Sequence, residues 1–96
     1  MSRPAPTRMH LGRVLRAYRE AAGLSQEAMG FRAGLHRNYI GSAERGERNI
    51  AFEAIEKWLR GLGVSWTEFG AALDREATVV RDGATLRRSG QRRTRS

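Results

Sequence analysis

Three times between residues 24 and 69 the chain repeats one local device: an apolar residue, a cap position, and a second apolar residue five places after the first. The sets are Leu24-Ser25 with Met29, Leu35-His36 with Ile40, and Val64-Ser65 with Phe69. In this hydrophobic staple the residue before the cap packs on the first full turn and fixes the angle at which the chain enters a helix. Glycines at 23, 34, 46 and 63 fall where left-handed helix stops are expected. A chain that opens and closes helices at such short intervals has to stack short helices around one core.

Five helices follow from this punctuation. Leu11, Val14, Leu15, Tyr18 and Ala22 keep helical spacing and give the first, which Gly23 ends. Ser25 caps the second. His36 is a poor cap by type, so the third, about 37 to 45, is expected to depend on tertiary packing. Phe52, Ile55, Leu59 and Leu62, widened by Trp58, draw the fourth over about 51 to 61. Ser65, with Glu68 completing a capping box, opens the fifth over about 67 to 76. No alternating segment is long enough to suggest a sheet, so the fold class is all-α, a compact five-helix domain.

With 96 residues there is room for one such domain, expected over 10–76. Residues 1–9, with Pro4 and Pro6, read as a flexible N-terminal arm, and 77–96 as a basic, disordered C-terminal tail with a short extended piece at Thr78, Val79 and Val80. The net charge of +8 resides at the ends. No acid precedes Glu20 or follows Asp82, and residues 1–19 and 83–96 carry five Arg each. Between them ten acids face eight bases, so the interior is nearly neutral.

Cysteine is absent, which excludes a disulfide framework or thiolate metal site and suits a reducing cytoplasm. His10 and His36 lack metal-ligand spacing, and no acid pair, nucleophile elbow or phosphate loop is present. The expectation is therefore a protein with no metal, no cofactor and no enzymatic activity. No apolar run approaches the roughly 18 residues of a membrane span.

The segment Gly23-Leu-Ser-Gln-Glu-Ala-Met-Gly-Phe-Arg-Ala-Gly-Leu-His-Arg-Asn-Tyr-Ile-Gly-Ser-Ala-Glu-Arg-Gly46 resembles the Cro and phage-repressor type of helix-turn-helix protein, the XRE-like, lambda-repressor-like DNA-binding fold. With Arg48-Asn49 and Ile55 to Val64 the likeness runs over roughly residues 11 to 75. Within that family the look is closest to the controller proteins of restriction-modification systems. The resemblance implies a DNA-binding transcriptional regulator that reads a two-fold, double-stranded DNA operator as a homodimer. Such a protein is expected in the cytoplasm of a prokaryotic cell, cell- or phage-encoded, and associated with the nucleoid.

By the same resemblance Arg37, Asn38 and Ser42 match base-reading positions. The types suit that task, since Arg donates two bonds to guanine and Asn pairs with both major-groove groups of adenine. A solvated polar face is the alternative. Gln26, at the start of the second helix, matches a phosphate contact. Tyr39, Arg45, Arg48 and Asn49 are also placed for phosphates, which position a helix without specifying sequence. Arg19 and Glu44 match a partly buried structural ion pair. Trp66, Phe69, Ala72 and Leu73 offer more apolar surface than a short last helix needs, and are expected to form the dimer interface.

Three residues depart from the family pattern. Ala43 replaces a larger aliphatic residue and Ala51 a capping Ser or Thr. Phe31 stands where a polar residue is usual, and the sequence leaves open whether the terminal arm covers it or it marks a partner surface. An antitoxin, using the same domain and holding a toxin protein, is the alternative function. Non-specific nucleic-acid binding by the Arg-rich ends is a third.

Overall fold

The computed structural model describes residues 6–76, with side chains from Thr7 onward. Four helices, α1 (Pro6–Ala21), α2 (Gln26–Ala33), α3 (Arg37–Glu44) and α4 (Phe52–Leu62), are followed by a fifth, α5, over 66–76. There is no strand among the described residues. No described helix is long and apolar enough to cross a membrane.

The helices gather around one core. Trp58, Leu15, Met29 and Ile40 are its largest fully buried members, joined by Val14, Ala33, Ala43, Leu59 and Phe69. The staples supply a third of this set: Met29, Ile40 and Phe69 are buried, and Leu24, Leu35 and Val64 pack against the core from the helix entrances. Ser25 Oγ accepts the amide of Ala28 at 3.0 Å, and Ser65 Oγ that of Glu68 at 3.0 Å. The Glu68 carboxylate, expected to close a capping box, accepts the Tyr18 hydroxyl at 3.4 Å. Burial and that carboxylate push the Tyr18 phenol above its ordinary pKa.

Gly34 is the stop that matters most for function. At φ +73 it takes a left-handed conformation that costs a residue with a side chain about 1 kcal/mol or more. It lets the Leu35 amide return to Gly30 O at 2.8 Å, so α2 ends and α3 begins within three residues.

Where α1 crosses α3 the two backbones nearly touch. A Cβ on Gly12 would lie 2.5 Å from the Ala43 carbonyl oxygen. Ala43, which departs from the expected larger aliphatic residue, is fully buried at this crossing. Small residues on both helices permit the approach that a bulkier pair would prevent.

Several boundaries and roles need correcting. The arm expected over residues 1–9 gives way to helix at Pro6, because proline lacks only an N–H that a first turn leaves unpaired, and its φ is preset for a helix. Half-buried Met9 then packs beside Gly46, at which a Cβ would approach Met9 Cγ to 3.1 Å. Phe52, counted in the apolar periodicity of the fourth helix, is 65 % exposed as the first residue of α4. Residues 1–5 and the tail at 77–96 lie outside the described residues, including Thr78, Val79 and Val80.

Candidate nucleic-acid interface

Helix α3 presents a polar, exposed start. Its cap is His36, whose Nδ1 accepts the Asn38 amide at 3.0 Å, so the imidazole performs the task for which it is a poor residue by type. Arg37 and Asn38, next in the chain, are exposed. Arg37 Nη1 reaches Glu27 Oε1 of α2 at 3.4 Å, a loose pair with both side chains mostly in solvent. Glu27 was not legible as part of this site, because its pairing joins residues ten apart across the turn.

One turn later, Ser42 and Tyr39 are half-buried beside the loop that follows α3. Ser42 Oγ donates to the Tyr39 carbonyl at 3.2 Å and accepts Arg48 Nε–H at 2.7 Å. The Arg48 guanidinium lies over the Tyr39 ring, 4.5 Å from its centroid, in a cation–π contact. The Tyr39 hydroxyl accepts the Ala51 amide at 3.2 Å. Ala51, at the cap position of α4, has no side chain to accept first-turn amides, and Tyr39 pairs the cap residue's own N–H from another helix.

Behind this surface lies a charge pair that ties three helices together. Arg19 Nε and Nη2 meet Glu44 Oε2 and Oε1 at 2.6 and 3.0 Å, a two-point contact with both residues 7 % exposed. Arg19 Nη1 donates to Leu24 O at 2.7 Å, and Gln26 Nε2 donates to Glu44 Oε1 at 3.1 Å. Hydrogen bonding to Glu44 raises the Arg19 pKa above its ordinary value, outweighing burial. Gln26 is thus a half-buried neighbour of the pair, with a second amide hydrogen still available to an anion at the α2 N-terminus.

Arg45, Arg48 and Asn49 are exposed and follow α3 directly. Arg45 forms a two-point pair with Glu47, at 2.8 and 3.0 Å. Hydrogen bonding within it raises the Arg45 pKa and holds the Glu47 carboxyl below its ordinary range. Arg37, Asn38, Ser42, Tyr39, Arg45, Arg48 and Asn49 are brought to one helix and its exit loop, with Gln26 at the neighbouring helix start. Among the described residues no group of three or more His, Asp or Glu gathers where a metal ion could bind.

The four residues expected at a dimer interface are divided. Phe69 is 3 % exposed and belongs to the core, which corrects its assignment to the surface: it is the inner half of a staple, and Val64 and Ser65 turn it inward. Ala72 and Leu73 are half-buried against the same core. Trp66 is 44 % exposed and stacks on Phe52, with ring centroids 5.1 Å apart and planes 8° from parallel. Phe52 could have been found from its place at the helix start, outside the turn whose residues face inward. Phe31 is 90 % exposed on α2.

The profile of the family described as Helix-turn-helix matches residues 15–69, more than half of the chain. The control protein C.BamHI of Bacillus amyloliquefaciens is 41 % identical over 58 residues, which cover 59 % of this chain and 72 % of that protein. The control protein C.MunI of Mycoplasma sp is 33 % identical over 70 residues, covering 72 % of this chain and 95 % of the relative. Among solved structures, the restriction-modification controller protein C.Esp1396I, a tetramer in complex with its natural 35 base-pair operator, superposes with a TM-score of 0.74 at 28 % identity, covering 77 % of this chain and 97 % of its own.

Proposed function

Because the chain belongs to the helix-turn-helix family and, within it, to the restriction-modification control proteins, we propose that it is a sequence-specific DNA-binding transcriptional regulator. It is not an enzyme. The observation that carries the reading is the capped α3, whose polar first turn faces solvent while its apolar residues enter the core. Docked in a major groove, such a helix offers Arg37 and Asn38 to base edges, with Ser42 one turn behind. Gln26, Tyr39, Arg45, Arg48 and Asn49 contact phosphates and fix the register. The superposition on a controller solved with its operator supports this use of the fold. The relatives are control proteins, and they lend the antitoxin alternative no support.

The working unit in this reading is a homodimer on a two-fold operator, in the cytoplasm. Its contact is the Phe52–Trp66 stack at the adjoining starts of α4 and α5, an apolar surface that the folded monomer leaves in water. A dimer sets its two recognition helices about one DNA turn apart, roughly 34 Å.

Selection of bound fragments from a random duplex library tests the proposal. The expected outcome is one short sequence in two inverted copies. Recovery of fragments with no shared sequence removes it.

A further inference from the structure

We propose that Ser42 reads DNA as a hydrogen-bond acceptor only, fixed in that state by Arg48, and that it therefore selects a base with an exocyclic amino group in the major groove, adenine or cytosine. This rests on the reading of α3 as the recognition helix. A serine hydroxyl is ordinarily ambiguous: it rotates, serves as donor or acceptor, and pairs with any base edge. Here that freedom is removed on two sides.

The hydroxyl hydrogen is directed to the Tyr39 carbonyl at 3.2 Å, and one lone pair receives Arg48 Nε–H at 2.7 Å. One lone pair remains. The bond from Arg48 is charge-assisted and the shorter of the two, so turning the hydroxyl hydrogen toward Arg48 would set donor against donor. Arg48 is itself restrained, with its guanidinium over the Tyr39 ring at 4.5 Å and that ring tethered by the Ala51 amide. Guanine and thymine offer N7, O6 or O4 acceptors to the groove, and pairing with any of them requires Ser42 to give up the Tyr39 carbonyl. Adenine N6 and cytosine N4 carry the hydrogen that the free lone pair accepts. Arg48 is thus a positioning residue for specificity, in addition to any phosphate it meets.

The test uses the full chain and the duplex recovered by selection. Ser42→Ala identifies the base pair that Ser42 reads, as the position at which preference relaxes. Every base pair carries one such amino group, on adenine or on cytosine, so the decisive probe there is an analogue lacking only that group, purine for adenine or 2-pyrimidinone for cytosine, which should weaken binding about fivefold, the worth of one hydrogen bond. Arg48→Lys keeps the positive charge but loses the Nε–H fork and the planar stack. It should bring the analogue's penalty below about twofold, whatever it does to overall affinity. Thermal melts of both variants establish that each is folded.

Unchanged binding of wild-type protein to the analogue overturns the proposal while leaving α3 as the reader. So does full retention of the penalty in Arg48→Lys. If Ser42→Ala and Arg37→Ala both leave every base preference unchanged, the recognition-helix reading fails, and the proposal with it.

Discussion

The Tyr39 hydroxyl of α3 accepts the Ala51 amide hydrogen at 3.2 Å, so one helix pairs the N–H at the cap position of the helix that follows it. Ala51 already has the extended backbone of a cap, at φ −62 and ψ 146, and lacks only the oxygen. Tyr39→Phe should therefore destabilise the fold by about 1 kcal/mol, the usual worth of one hydrogen bond. A serine at residue 51 would accept first-turn amides rather than its own N–H, so in an Ala51→Ser background the same change should cost about as much. Urea unfolding of the four proteins measures the coupling. A Tyr39→Phe protein as stable as wild type would show that the Tyr39 bond does not stabilise α4.

Much of the architecture was readable because its signals are local. The staples at Leu24 and Met29, Leu35 and Ile40, and Val64 and Phe69 each lie within one helical turn and a half, and each places its inner residue in the core. The glycines expected as helix stops all have positive φ. What escaped reading joins distant residues or depends on atoms rather than residue types. His36 caps through Nδ1, which ranking by type does not anticipate. The Arg48–Ser42 and Tyr39–Ala51 bonds cross a loop whose path no periodicity sets. Phe69 lies in the core and not at an interface because the staple from Val64 turns it inward, which the apolar content of α5 alone does not express.

The Arg19–Glu44 pair makes an asymmetric prediction. Both groups have left water, and their two-point contact offsets that loss only while both are present. Glu44→Ala strands the Arg19 guanidinium and should destabilise the domain by about 3 to 5 kcal/mol. Replacing both with apolar residues of similar volume should cost much less. Calorimetric melting of the single and double variants distinguishes the cases. A Glu44→Ala melting point within a few degrees of wild type would show that water reaches the pair.

For the dimer, the exposed stack and the half-buried residues of α5 should respond differently. Trp66→Ala removes an aromatic surface already 44 % exposed, so it should leave the monomer folded while raising the dimer dissociation constant at least tenfold. Leu73→Asp buries a charge against the core and should unfold the domain as well as separate the copies. Sedimentation equilibrium with far-ultraviolet circular dichroism separates the two effects. A Trp66→Ala protein that still dimerises as wild type would move the interface elsewhere.

Base reading and positioning are separated most sharply by Arg37 and Gln26, since both losses should weaken binding and only one should alter what is bound. Arg37 is exposed and held loosely by Glu27, a solvent-screened contact that a guanine edge replaces at small cost. Arg37→Ala should cost about 1 to 3 kcal/mol on the preferred operator and much less on an operator altered at the contacted base, relaxing specificity at one position per half-site. Glu27→Gln, which frees Arg37 and removes a negative charge beside the DNA, should tighten binding a few-fold with the preferred sequence unchanged. Gln26→Ala should weaken binding to every sequence alike, because a phosphate contact at a helix start carries no base information. That variant also loses the 3.1 Å bond to Glu44, so its melting temperature has to be measured before its affinity is interpreted. Titrations against single-base operator variants decide: a uniform loss of affinity in Arg37→Ala would mean that Arg37 meets the backbone, and that α3 enters the groove in a different register.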